Sequence, residues 1–277
     1  MRSPGPGASL AASADPAPPG GVVRFVQKTL VMAELEIRKL SHDATELVTR
    51  AFQPALWLLV FGQVFTRIRA IPTGEFRYID FMAPGILAQS VLFVSIFYGI
   101  SIIWERDLGI VHKFLASPTP RAALVLGKSL SAAVRSFTQA VFIYVLALWL
   151  GVRINWNPLA LLGVLVVIIL GSALFSTFSL IIACIVKSRE RFMGIGQVLT
   201  MPLFFASNAI YPIALMPDWL QVLSRVNPLT YEVDALRALM LEGAVSAYGI
   251  GWDIAILLLV VTGLTWIASA LYPRVAY

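Results

Sequence analysis

The chain has 277 residues, of which 58% are hydrophobic and 13% are charged, and its formal net charge is +6. A soluble domain carries about 25% charged residues, and a soluble fold of this length could not bury so much apolar side chain, so a soluble globular protein is excluded. One cysteine, Cys184, excludes a disulfide framework, and two histidines, His42 and His112, are too few for a zinc or iron site.

The chain begins with two segments that carry no transmembrane pattern. Residues 1–21 are rich in Pro, Gly, Ala and Ser and are predicted to be a disordered tail. No apolar segment follows Arg2, so a signal peptide is not predicted. Residues 22–50 predict an amphipathic helix, because apolar residues recur at steps of three and four. This helix is too charged to span a bilayer and suits a membrane surface; packing against another protein domain fits its pattern equally well.

Residues 51–277 are predicted to form an all-α integral membrane domain of six transmembrane helices. Each helix corresponds to an uncharged apolar stretch, and a span needs about 20 such residues. The six stretches are residues 53–66, 86–103, 136–152, 159–186, 192–210 and 254–272. Pro202 and the following "NAIYPIALMPDW" predict that the fifth helix is bent or re-entrant at its end.

The distribution of basic residues predicts the orientation of these helices. An even number of spans places both chain ends on one side, and most of the 21 lysines and arginines fall on that side. Basic residues are enriched on the cytoplasmic side of membrane proteins. Both termini are therefore expected to be cytoplasmic. The positive charge has a topological explanation, so nucleic-acid binding is not indicated.

The apolar stretches contain no ionisable side chain: Asp, Glu, Lys, Arg and His are all absent from them. This argues against an ion-coupled carrier, which usually keeps such residues at the bilayer centre. No intramembrane nucleophile has a partner base there either. The energy source is therefore expected to lie outside this chain.

The segment "RAALVLGKSLS", residues 121–131, contains the Gly-Lys-Ser that closes a phosphate-binding loop. A complete loop needs a glycine five residues before Gly127, after a buried strand. Ala122 occupies that position and a turn precedes it. An ATP site is therefore not predicted, and the segment is interpreted as a helix start that carries Lys128.

The segment 105–120 between the second and third apolar stretches is short and charged at its start. Glu105 and Arg106 open it, Gly109 permits a tight turn, and Ile110 and Phe114 contribute to a small apolar face. Two prolines, at positions 118 and 120, end the predicted helix. On this evidence alone, a connecting loop with solvated charges explains the segment.

Four motifs together resemble the ABC-2 type permeases, the membrane subunits of ATP-binding-cassette exporters of the daunorubicin-resistance and polysaccharide-export types. They are Glu105-Arg106 followed by Gly109, Pro118 and Leu126-Gly127-Lys128; "YIDFMAPGIL" at 78–87; "FFASNAIYPIALMPDWL" at 204–220; and "NPLTYEVDALR" at 227–237. The resemblance extends from about residue 24 to the chain end. The sequence departs from the family pattern at Asn208, where glycine is common, and at His112, where an acidic or polar residue is common.

The resemblance implies a transporter of two membrane subunits and two nucleotide-binding subunits in a bacterial or archaeal plasma membrane. ATP and Mg²⁺ would be bound by the partner ATPase, so no cofactor and no catalytic residue are expected in this chain. The segment from residue 105 would be a coupling helix that docks on the ATPase. The implied ATPase-coupling residues are Glu105, Arg106, Gly109, Ile110 and Phe114. Glu105 and Arg106 could form hydrogen bonds within the segment or to the ATPase.

The resemblance also implies a cargo path between two copies of the subunit, or a copy and a paralogue, along the second and fifth spans. Candidate path residues are Gln89, Ser90, Ser95, Gln197, Thr200 and Ser207. For each one taken singly, a hydrogen bond between helices of the same subunit is favoured over contact with cargo. The uncharged interior favours an amphipathic drug, lipid or glycan.

The segment 211–240 is expected to be an extracellular lid or simply a packed loop. Its predicted features are a short helix capped by Asp218 and a second helix started by Asn227-Pro228. Two alternatives to a permease remain at this point. A membrane scaffold or immunity subunit could share the fold without moving cargo, and an ion-coupled carrier is disfavoured by the uncharged spans.

Overall fold

The structure, a computed structural model, describes Thr49 and residues 52–69, 71–109, 121–186 and 188–272. The predicted tail, nearly all of the 22–50 helix, and Ile110 and Phe114 of the coupling segment lie outside the described residues. Within them the chain is helical and contains no β-strand, which confirms the all-α prediction.

Helices make up most of the described residues. A π-helical stretch, Trp57–Gly62, leads into α1 (Gln63–Ile68). The remaining α-helices are α2 (Tyr78–Tyr98), α3 (Ile100–Asp107), α4 (Arg121–Trp149), α5 (Pro158–Ile185), α6 (Arg189–Phe205), α7 (Asp218–Val226), α8 (Pro228–Met240) and α9 (Ile250–Leu271). A 3₁₀ turn, Ile213–Leu215, lies between α6 and α7.

Four segments of the described chain are long and apolar enough to cross a membrane. They are Tyr78–Asp107, Leu124–Trp149, Pro158–Ile185 and Ile250–Leu271. These segments correspond to the second, third, fourth and sixth predicted spans. The first predicted span falls on the π-helical stretch and α1, and the fifth falls on α6, which has 17 residues. The count of six spans therefore remains a prediction.

Contacts between connections define one end of the bundle, called here the Arg77 end. The Arg77 guanidinium, at the start of α2, donates a hydrogen bond to the backbone oxygen of Gly151, after α4. Ile154 and Leu241 form an antiparallel β-bridge, which joins the α4–α5 connection to the α8–α9 connection. The opposite end is called the Glu105 end. It contains the end of α3 and the start of α6, where Arg189 donates to Asp107 at 2.8 Å.

The core is centred on α2 and α5, which pack against each other and against α4 and α8, and α5 also packs against α9. Most of α2 is buried, including Met82, Ile86 and Leu87. Gly85 allows α2 to approach the chain after α6, because a Cβ atom at residue 85 would lie 2.3 Å from the backbone oxygen of Ala209. A side chain there would need the helix to shift.

Within the segment 211–240, helix α7 has an exposed apolar face and a buried polar side chain. On α7, Trp219, Val222 and Val226 are exposed, whereas Ser224 is buried with its hydroxyl 3.2 Å from the Thr230 hydroxyl. The prediction that Asp218 caps α7 is wrong: Pro217 is the capping residue, and no side chain bonds the first turn.

The start of α8 is as predicted, since the Asn227 side-chain oxygen accepts from the backbone N–H of Leu229 at 3.0 Å. The Asn227 amide also donates to the backbone oxygen of Leu203 in α6 at 2.7 Å. The last residue of α8 lies at the Arg77 end, where the Asn155 N–H of the α4–α5 connection donates to the Met240 oxygen at 2.8 Å. The first residues of α8 therefore lie deeper in the bundle than its last.

Candidate functional site

A cavity of about 330 Å³ lies between the chain before the π-helical stretch and helices α2, α4 and α6. Its lining residues are Thr49, Gln53, Pro54, Gln89, Ser90, Phe93, Val94, Phe97, Gln139 and Gln197. None of them is ionisable. This cavity is called the amide pocket below.

Glutamine is concentrated in the amide pocket. The chain has seven glutamines, and four of them line this cavity from four different segments. Gln89 and Gln139 are 2% exposed, whereas Gln53 and Gln197 are exposed. Each amide offers two donors and one acceptor oxygen. The pocket can therefore bind an uncharged polar group without any ionic contact.

Apolar and unpaired polar atoms complete the lining. The Phe93 and Phe97 rings of α2 lie 6.0 Å apart between centroids. The Ser90 hydroxyl donates to the backbone oxygen of Ile86 at 2.9 Å, so its oxygen can still accept a hydrogen bond. The Gln89 side-chain oxygen has no hydrogen-bond partner among the described residues. The pocket thus combines aromatic surface with acceptor oxygens, which suits a molecule that is part apolar and part hydroxylated.

The structure brings together three of the six path residues that the sequence proposed: Gln89, Ser90 and Gln197 line the amide pocket. The other three do not line it. Thr200 and Ser207 donate to the backbone oxygens of Gly196 and Phe204, at 2.9 and 2.7 Å, and Ser95 is fully buried.

The sequence did not predict Gln53 and Gln139, because the resemblance implied a path along the second and fifth predicted spans and these residues lie in the first and third. A glutamine within an otherwise apolar stretch was the sequence feature that could have identified them.

Three of the five coupling residues that the sequence proposed, Glu105, Arg106 and Gly109, are described and lie at the Glu105 end. The Lys128 ammonium donates to the Glu105 carboxylate in an ion pair between α4 and α3. The side chain of Lys128 is 8% exposed and that of Glu105 is 24% exposed. Lys128 is therefore held inside the protein. The sequence predicted a helix start that carries Lys128, and the structure places this residue in the second turn of α4.

Arg106 takes part in a second group of charges beside this pair. It donates to Asp107 at 3.0 Å, and Arg189 of α6 donates to the other oxygen of the same carboxylate at 2.8 Å. The Arg189 guanidinium also lies 3.6 Å from the centre of the Trp104 ring, within cation–π range. Gly109 has φ +71°, a backbone conformation that favours glycine and matches the predicted turn. The start of the coupling segment is thus tied to both α4 and α6.

Several buried ionisable residues were absent from the sequence argument, among them Asp80, Glu232, Asp234 and Asp253. Glu232 of α8 is fully buried, and both of its carboxyl oxygens lack a hydrogen-bond partner among the described residues. It was missed because only the apolar stretches were searched for charge, and α8 lies outside them. The fold nevertheless places α8 against α2, α5 and α9.

Comparison with known proteins identifies the family. The family model described as "ABC-2 type transporter" matches residues 27–241. The chain belongs to the ABC-2 type transporter family. This ABC-2 protein is 30% identical over 221 residues to the ycf38 transport permease of Cyanophora paradoxa. The aligned residues cover 78% of this chain and 74% of that protein.

Two further relatives carry the names of drug-resistance transporters. The daunorubicin resistance ABC transporter permease DrrB1 of Streptomyces coeruleorubidus is 26% identical over 249 residues, which is 90% of this chain and 86% of that protein. The DrrC protein of Mycobacterium tuberculosis, named for doxorubicin resistance, is 23% identical over 231 residues and 82% of each chain. The family match and the four membrane-length apolar segments of the described chain together identify this ABC-2 protein as a multi-pass membrane protein.

Proposed function

We propose that this protein is the membrane permease subunit of an ATP-driven exporter and that the amide pocket is part of its cargo path. The observation that carries the proposal is the convergence of four glutamines on one uncharged cavity. Gln53 and Gln197 are exposed in a single chain, so the pocket opens toward the surface that a second copy or a paralogue would cover.

The Glu105 end is the cytoplasmic face in this proposal, and both chain termini lie on that side of six spans. A separate ATPase subunit binds ATP and Mg²⁺ and docks on the coupling segment, which includes Gly109, Ile110 and Phe114. Movement of the ATPase subunit is transmitted to the transmembrane helices through the Glu105–Lys128 pair and through the contact of Asp107 with Arg189. The permease itself hydrolyses nothing.

The cargo is an amphipathic molecule that the pocket binds without an ionic contact, since the lining offers amides, hydroxyls and two phenylalanine rings but no charged side chain. Two relatives are named for resistance to daunorubicin and doxorubicin, so these compounds belong in the first panel of candidates. Lipids and glycans form the rest of the panel.

The test is co-purification with candidate ATPase subunits, followed by measurement of ATP hydrolysis in lipid vesicles with each compound. Stimulation by one class of cargo, together with its ATP-dependent movement across the bilayer, is the expected result. A stable complex whose hydrolysis ignores every compound and moves none would contradict transport and support a scaffold or immunity subunit.

A further inference from the structure

Glu232 occupies a space that exists only because residue 171 is glycine. A Cβ atom at Gly171 of α5 would lie 2.3 Å from one Glu232 carboxyl oxygen and 2.6 Å from the other. The carboxyl group therefore lies directly against the backbone of α5. Gly171 is at the midpoint of this 28-residue helix, which is one of the four candidate spans.

The other charged side chains of α8 that are buried with Glu232 have partners of their own. On α8, Asp234 accepts from the Ser246 hydroxyl and the Ala247 N–H, both at 2.8 Å. Arg237 donates to the Asn208 oxygen at 2.7 Å and weakly to the Phe81 oxygen at 3.4 Å.

The helices packed against α8 supply no cation for Glu232 either. On α2, Asp80 is paired with Arg77 at 2.8 Å. On α9, Asp253 accepts from Ser246 at 2.9 Å. The exposed Asp218 and Arg225 lie on α7, and α5 contains no Asp, Glu, Lys, Arg or His. Glu232 therefore has no counter-ion within the described part of the chain.

An unpaired carboxylate in such a place would be strongly destabilising. Moving an ionised group from water to apolar surroundings costs so much free energy that the group binds a proton instead. Coulomb attraction cannot offset this cost here because no cation is near. The neutral acid still lacks a hydrogen-bond partner, but it loses far less hydration energy than the carboxylate would.

We propose that Glu232 is a proton-binding site in the middle of the membrane domain, protonated while α8 packs on α5 and ionised when α8 separates from it. The packed state binds the proton more tightly than a hydrated Glu232 does. Acid therefore favours packing, and this contribution is lost as the pH rises. The site does not depend on cargo transport.

The first experiment is infrared spectroscopy of the full-length protein in lipid vesicles in D₂O at neutral pH. An ordinary carboxyl is ionised at this pH, so absorption by a protonated carboxyl carbonyl identifies a perturbed acid. This absorption is expected in wild type, lost in Glu232→Gln and retained in Glu242→Gln, a matched change at an exposed residue of the next connection. Its absence from wild type, or its persistence in Glu232→Gln, overturns the proposal.

A second variant covers the case in which Glu232→Gln does not fold. Gly171→Ala places a methyl group where the carboxyl lies, so it should shift or remove the same absorption. Gly263→Ala, at a helical glycine of α9 with nothing within 4 Å, should leave it unchanged. An unaltered band in Gly171→Ala overturns the assignment to Glu232.

The separation of α8 is tested by hydrogen exchange of its backbone amides over a pH series, corrected for the intrinsic rate. Exchange should increase with pH in wild type and lose this dependence in Glu232→Gln, because the amide side chain cannot ionise. The same dependence in both proteins would overturn the link between ionisation and separation.

Discussion

Glu105 and Lys128 form an ion pair that ties the end of α3 to the second turn of α4. Lys128→Met would leave the Glu105 carboxylate without its partner in a half-buried site, so we expect a loss of about 1 to 3 kcal/mol in the free energy of unfolding. Thermal unfolding in detergent measures the effect. The charge reversal Glu105→Lys with Lys128→Glu should recover part of it. Arg67→Met, at an exposed position of α1, should change little.

The coupling role of this end predicts a functional defect separate from stability. Replacing Glu105 and Arg106 together by alanine should reduce cargo movement per ATP hydrolysed, because the contacts of the coupling segment with α4 and with Asp107 are lost. Transport and hydrolysis are measured in the same vesicles. A variant of normal abundance and assembly that exports as well as wild type would show that these residues are not needed for coupling.

Gly85→Ala should be destabilising, because its methyl group would meet the backbone oxygen of Ala209 at 2.3 Å. Backbone cannot move aside as a flexible side chain can, and overpacking costs about 1 to 3 kcal/mol. The matched control is Gly263→Ala, where nothing lies within 4 Å and alanine is the better helix former by about 1 kcal/mol. Thermal unfolding should separate the two variants in opposite directions. Equal effects would contradict the close approach of α2 to Ala209.

Asn227 performs two tasks that two substitutions can separate. Asn227→Ser keeps an oxygen that can accept from the first turn of α8 but loses the amide that donates to the Leu203 oxygen, and it places no charge in this buried site. Asn227→Ala loses both, and the cap alone is worth about 1 kcal/mol. Alanine should therefore be the more destabilising in thermal unfolding. If serine is as damaging as alanine, the bond to α6 and not the cap dominates.

The amide pocket predicts a change in cargo recognition. Gln89→Leu should weaken the apparent affinity for cargo, because a buried amide that can bond the cargo is replaced by an apolar side chain of similar size. The loss of one such hydrogen bond corresponds to about 0.5 to 1.5 kcal/mol, or roughly a two- to twelve-fold rise in the half-maximal concentration. Gln63→Leu, an exposed glutamine outside the pocket, is the control. Identical cargo curves for both variants would exclude Gln89 from the path.

The sequence predicted α5 to within one residue at each end, because that helix contains no charge and ends at polar residues. It placed the starts of α2 and α4 too late. The predicted apolar stretches began after Gly85 and after Arg135, whereas the two helices extend back past Asp80 and Lys128, each of which forms an ion pair. The Glu105–Lys128 pair joins residues distant in sequence, so a pattern of uncharged stretches cannot reveal it.

The candidate site was predicted only in part for a related reason. Gln89, Ser90 and Gln197 were identified, but their convergence with Gln53 and Gln139 is a property of helix packing. Glu232 lies in the segment 211–240, which the sequence predicted to be extracellular. Its burial follows from the way α8 descends beside α5, which no local pattern in the sequence encodes.

The two ends of α8 are held in different ways. At its last turns, Arg237 donates to the Asn208 oxygen and lies 3.8 Å from the centre of the Phe81 ring, while Met240 accepts from Asn155. At its start, the Asn227 amide donates to the Leu203 oxygen of α6, and the Tyr231 hydroxyl donates to the Arg225 oxygen of α7 at 2.6 Å. The last turns are therefore bonded to the connections at the Arg77 end, whereas the start is bonded to α6 and α7. Because the start is bonded to α6, a displacement of α8 would pull on a helix that lines the amide pocket.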